Sequence, residues 1–171
     1  MGSWFLAKKQ DSQQTQPMTA LRVQSAVEGK ARPRLWGRNR ISGNLIWYGD
    51  FTAHPVSNPQ QGGGKGAAPT GGGGKGQQGS TDYTYSVSCM IGLCEGPITG
   101  INAAWNNKAI GTVDGFGFEV FKGEYSQVAW GYLTSRHPDQ ALNYRGLAYV
   151  AQASIDLGGS TELMNYSFEV T

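Results

Sequence analysis

Cysteine is nearly absent, charge is thin, and nowhere does the sequence stay apolar for long. Two cysteines in 171 residues exclude a disulfide-stapled mini-domain. No run approaches the ~18–20 apolar residues of a membrane-crossing helix. Charged side chains make up only 15% of a chain with 26 glycines, which excludes a coiled coil. The N-terminal MGSWFLAKKQ sets its short apolar patch ahead of its lysines. A secretory signal has the reverse order and an apolar region of about 7–15 residues. The expectation is synthesis in the cytoplasm without export by the general pathway.

What is present suits one domain, since domains commonly run ~100–200 residues. Hydrophobic residues, at 39%, fall below the ~45–50% of a typical globular chain, counted on a slightly different residue set. The shortfall is local, because residues 61–80 hold 10 of the 26 glycines and almost nothing apolar. Net charge +2 conceals an asymmetry: residues 1–80 carry ten Lys/Arg against three acids, and residues 81–171 carry four against nine. The halves are therefore +7 and −5. Five bases, Lys30, Arg32, Arg34, Arg38 and Arg40, fall close together. Such a cluster can serve nucleic acid, or it can meet another protein or another copy across complementary charge. It lacks a helical pattern to carry it into a groove, so nucleic acid is not the expected partner.

Periodicity predicts strands. From Tyr83 the odd positions read Tyr83, Tyr85, Val87, Cys89, Ile91 and Leu93, alternating with Thr84, Ser86, Ser88, Met90, Gly92 and Cys94. Period-2 alternation of this length marks a half-buried strand. Leu21, Val23 and Val27 repeat the pattern, and Leu45, Trp47 and Phe51 are expected to share one face. So do Phe116, Phe118 and Val120; Leu147, Tyr149, Ala151, Ala153, Ile155 and Leu157; and Tyr166, Phe168 and Val170. Gly, Pro and Asn punctuate them at Gly96-Pro97, Gly100, Asn106-Asn107 and Gly158-Gly159. Only Pro138–Tyr144, after His137, reads as a short helical turn, with proline in the first turn. The expected fold is mainly β: an antiparallel sandwich or barrel-like domain with one short helical turn and a long Gly-rich loop. That loop is expected over residues 54–81, where composition cannot offset the entropy of ordering. The last strand, Tyr166–Val170, is expected at a sheet edge, where it could add to a neighbour's sheet.

Catalytic and cofactor patterns fail on context. Gly71, Gly73 and Gly76 spell G-x-G-x-x-G without a strand before and a helix after, so no dinucleotide site is read. Lys65 and Lys75 are preceded by glycine but followed by Gly66 and Gly76 where a P-loop needs Ser or Thr, and Pro59 and Pro69 stand where it needs its first glycine. Cys89 and Cys94 are five apart, which on a regular strand places them on opposite faces. With His54 and His137 they make no metal pattern, and no cofactor or metal is expected. Scattered acids, Glu95, Glu119 and Glu124 among them, and the tryptophans Trp36, Trp47, Trp105 and Trp130 allow an alternative. That alternative is a carbohydrate-binding or cell-wall-hydrolysing β-domain, which would need two carboxylates about 5–10 Å apart in a groove. Tryptophans more often serve as core or interface anchors.

Longer words carry more. Leu35-Trp36-Gly37-Arg38-Asn39-Arg40-Ile41-Ser42-Gly43-Asn44-Leu45-Ile46-Trp47-Tyr48-Gly49-Asp50-Phe51 is followed by the Gly/Lys-rich stretch, then by Tyr83–Ser88 and Leu93-Cys94-Glu95-Gly96-Pro97-Ile98. Trp105-Asn106-Asn107-Lys108, Tyr144–Val150, Leu157-Gly158 and Asn165–Val170 complete the order. Over about residues 18–171 this resembles the N-terminal part of tailed-phage baseplate hub or tail-tip proteins, including the gene-transfer-agent hub and the host-specificity tail-tip group. The resemblance implies an N-terminal extension over 1–17 and a single β-rich hub-type domain over 18–171. It implies a non-enzymatic virion structural protein of the distal tail, made in the host cytoplasm, in a ring with other copies (a homotrimer) and other tail-tip or baseplate proteins. Members of the group continue into further hub domains, so another polypeptide is expected to supply them, or the component is a reduced one. The residues expected at interfaces are Arg34, Trp36, Arg38, Arg40, Lys65, Lys75, Tyr166 and Phe168.

Overall fold

A computed structural model describes residues 17–22, 29, 31–57, 81–107 and 109–171. The chain is mainly β, with two antiparallel four-stranded sheets packed on a common core and one short helix. The strands are β1 Asn39–Ser42, β2 Asn44–Ser57, β3 Thr81–Glu95, β4 Ile101–Asn106, β5 Ala109–Gly111, β6 Glu119–Phe121, β7 Leu147–Gly158 and β8 Tyr166–Val170. Helix α1 spans Gly131–Arg136, and 3-10 turns occupy Asp114–Phe116 and Pro138–Gln140. One sheet runs β1-β8-β4-β5 and the other β2-β3-β7-β6. The sandwich expectation holds, and the sheets do not close into a barrel.

The chain changes sheet at Gly43. β1 pairs with β8 and β2 with β3, with this single residue between them. A Cβ at Gly43 would lie 2.2 Å from Ile91 Cγ2 and 2.9 Å from the Gly92 carbonyl. Only a residue without a side chain lets the crossing chain pass so close to β3.

β3 is not half-buried. From Tyr85 the odd residues face the space between the sheets, with Val87, Cys89 and Ile91 against Ala104, Phe168 and Val170 of the other sheet. Met90 points the other way, into a second core of Trp130, Leu133, Tyr149 and Ala151. That second core exists because the segment containing α1 lies across the outer face of the sheet. Ser88 through Cys94 are consequently all buried.

Bulges correct several expected faces. In β7 the partners step from Val87–Ile155 to Cys89–Gln152, so β7 carries one extra residue near Ser154, whose φ is +52°. Ala148, Val150, Ile155 and Leu157 therefore share the inter-sheet core, while Tyr149, Ala151 and Ala153 face the outer one. A single odd-numbered face does not survive. In β2, shifts between Leu45 and Trp47 and between Gly49 and Thr52 leave Leu45 and Phe51 inside and turn Trp47 outward to Trp130. A shift between Gly92 and Cys94 accompanies a further reversal: Cys94 lies in the same core as Cys89, not on the opposite face. Both thiols are free, and burial pushes that of Cys89 up to about 12.

Other boundaries move as well. Phe116 belongs to a 3-10 turn rather than a strand. Helix α1 precedes the expected helical turn, of which the 3-10 turn Pro138–Gln140 is realised. Residues 54–57 and 81 belong to strands, because Ser57 and Thr81 are register partners at the ends of β2 and β3. The rest of the expected loop, and most of the strand expected over Leu21–Val27, lie outside the described residues. β8 is not an edge: it lies between β1 and β4. Among the described residues the edges are β1 and β5 in one sheet and β2 and β6 in the other.

Candidate interaction surface

The basic segment lies along the β1 edge, and most of its arginines have acquired partners. Arg34 donates through Nε and Nη2 to both carboxylate oxygens of Glu95, at 2.9 and 2.7 Å. This fork geometry fixes orientation as well as charge. The hydrogen bond from Arg34 holds the Glu95 carboxyl below the usual carboxylate range and raises Arg34 in turn. Arg38 reaches Glu169 at 3.5 Å. Arg40 donates to Ser167 Oγ at 3.0 Å and lays its guanidinium 3.9 Å above the Trp105 ring, a cation–π contact. Between them Trp36 stands 79% exposed, its carbonyl accepting from Asn39 Nδ2 at 2.9 Å.

Arg34 thus meets the end of β3 in one sheet, whereas Arg38 and Arg40, at β1, reach β8 and β4 in the other. Tyr166 and Phe168 are not with them: β8 is a central strand, and both rings are buried against Phe118 between the sheets. Lys65 and Lys75 lie outside the described residues. Of the four tryptophans, Trp130 is fully buried and donates to Glu119 at 2.8 Å. Trp47 donates to Gln140 at 2.8 Å, and Trp105 lies under Arg40. Trp36 alone of these four is largely exposed, so these four form no stacking platform.

Arg32, already part of the basic cluster, is joined by Arg145, which was not legible as part of this surface. Arg32, Glu95, Gly96, Tyr125, Arg145 and Gly146 line an open polar cleft of about 440 Å³. Beside it, sharing Arg32, an apolar groove of about 390 Å³ is lined by Pro33, Ile46, Leu93, Tyr144 and Leu147. Tyr125 is 79% exposed at the rim of the cleft. Arg145 lies more than a hundred residues from Arg32 in sequence, and no local pattern links them.

Elsewhere among the described residues, polar side chains tie neighbouring elements together. Asp50, with φ +52°, accepts from the Tyr132 hydroxyl at 2.5 Å and from His137 Nε2 at 3.0 Å. These hydrogen bonds, that of Tyr132 foremost, hold its carboxyl below the ordinary range. Ser88, fully buried, donates to Tyr132 and accepts from the Ser154 amide, both at 3.0 Å. Its hydroxyl is committed to partners and does not touch His137, so the set is a clasp between α1 and β2–β3 rather than a nucleophile with its base. His54 meets Ser86 Oγ at 2.8 Å. Glu95, one of the scattered acids of the hydrolase alternative, is held below the usual carboxylate range by Arg34, the reverse of the raised carboxyl a general acid requires. Among the described residues no group of three or more His, Cys, Asp or Glu could hold a metal ion, and no helix is long and apolar enough to cross a membrane.

No protein-family model matches the sequence, and no curated protein matches it. Among solved structures, the fold is similar to a chain of the virion of a native gene transfer agent (GTA) particle, with a TM-score of 0.60 and 27% sequence identity. The match covers 85% of this chain but 27% of that one. This chain therefore corresponds to little more than a quarter of the longer polypeptide, and what it resembles is part of a virion component.

Proposed function

We propose that this chain is a non-enzymatic structural component of a phage-like virion, placed at the tail tip or baseplate hub. Residues 18–171 form its hub-type domain, which takes its place in the distal ring as a homotrimer in contact with other tail proteins. The observation that carries this reading is the similarity in both fold and sequence to a GTA virion chain over most of this chain's length. The surface fits such a role. Trp36 projects from an edge where Arg34 and Arg38 are each braced by a carboxylate, and exposed Trp and Arg are the side chains that most often anchor interfaces.

The test is to tag this chain, purify particles and image them by gold labelling. Label confined to one end of the tail is expected. Particles that lack the chain, or carry it only on the capsid, would overturn the assignment.

A further inference from the structure

The cleft and the groove adjoin at Arg32 and differ in chemistry. Arg34 already pairs with Glu95; Arg32 acts on the same carboxylate only at longer range, and neither Arg32 nor Arg145 makes a close ion pair among the described residues. The adjoining groove is mainly apolar, lined by Pro33, Ile46, Leu93, Tyr144 and Leu147, with Ser42 and Asn44 as polar neighbours. Tyr125 stands over the cleft rim, almost wholly exposed.

We infer that these two cavities together hold an extended segment of a neighbouring virion protein, one that buries a bulky apolar side chain in the groove and presents carboxylates to Arg32 and Arg145. The inference rests on the virion reading above and names the chemistry of the contact. The Arg34–Glu95 pair shows in this same cleft how a carboxylate seats on an arginine fork. Complementary charge of this kind steers encounter and disfavours partners that lack carboxylates. A polynucleotide fits poorly: two unpaired cations beside an apolar groove do not make the run of phosphate contacts on which such binding depends.

The test uses the full chain in assembled particles, with p-benzoylphenylalanine at position 125 and adducts mapped by mass spectrometry after irradiation. The expected result is an adduct to a segment of another virion protein that carries both acidic and bulky apolar residues. The Arg32→Glu, Arg145→Glu double variant should lose it, while Arg32→Lys, Arg145→Lys keeps it. If the glutamate variant is not incorporated although its purified form melts like the wild type, the cleft is needed for assembly and the inference stands. An adduct to nucleic acid or to a segment without acids overturns it. So does a labelled chain present at the tail end that gives no adduct, or one whose adduct is unmoved by the glutamate variant. In those cases the tail assignment survives and only the docking site falls; absence of the chain from particles removes both.

Discussion

Single residues set the tightest constraints. Gly43 passes so close to Ile91 and the Gly92 carbonyl that an added methyl forces β1 or β3 to move. Gly43→Ala is expected to lose stability by about 1–3 kcal/mol, the usual penalty for overpacking, measured by urea unfolding; an unchanged midpoint would mean the crossing has slack. Asp50 makes a pH-dependent contribution. Its carboxyl is lowered in the folded chain by Tyr132 and His137, while in the unfolded chain it titrates near ~3.9. The native state therefore binds fewer protons in the window between the two values, so stability is present above it and is lost as pH falls through the folded value. Melting temperature followed between neutral pH and about pH 3 should fall more steeply in wild type than in Asp50→Asn. Parallel curves would show that the clasp does not depend on charge.

At the scale of elements, the segment across the outer face of β2-β3-β7 converts a half-buried sheet into one buried on both sides. Trp130 is its main anchor, fully buried, edge-on to Trp47 and stacked at 4.8 Å on Tyr132. Trp130→Ala should cost about 3–5 kcal/mol and expose Met90 and Tyr149, seen as lower stability and increased hydrogen exchange in β3 and β7. Residues 58–80 join strand ends that are already register partners. Replacing them with a short turn changes closure entropy only slowly, by about 0.6 kcal/mol per doubling of length. The melting temperature of the shortened chain is expected to stay near that of wild type while its incorporation into particles falls. A chain that no longer folds would show that 58–80 are packed; unchanged incorporation would make them a tether.

At the scale of the molecule, the segment leading into β1 carries groups suited to assembly. Trp36 contributes nothing to the core, so Trp36→Ala should leave thermal stability unchanged and reduce the amount of chain recovered in purified particles. Equal recovery would place the assembly contact elsewhere. Tyr166 and Phe168 behave in the opposite way. They pack against Phe118 inside the sandwich, and burial pushes the Tyr166 hydroxyl up to about 12.

Local alternation by itself determined that the chain is β, where most strands run, and that Tyr166–Val170 forms one of them, because side-chain parity is a property of each strand alone. What local pattern could not carry was decided by packing. Bulges at Leu45–Trp47, Gly49–Thr52, Ser154 and Gly92–Cys94 reverse parity, and their positions follow from pairing with a distant strand, so Trp47 and Cys94 change faces. Whether β8 is an edge or a centre depends on β1, which reaches it from more than a hundred residues earlier. The cleft likewise needed tertiary structure, since Arg32, Tyr125 and Arg145 meet only when the ends of β3 and β7 are brought side by side.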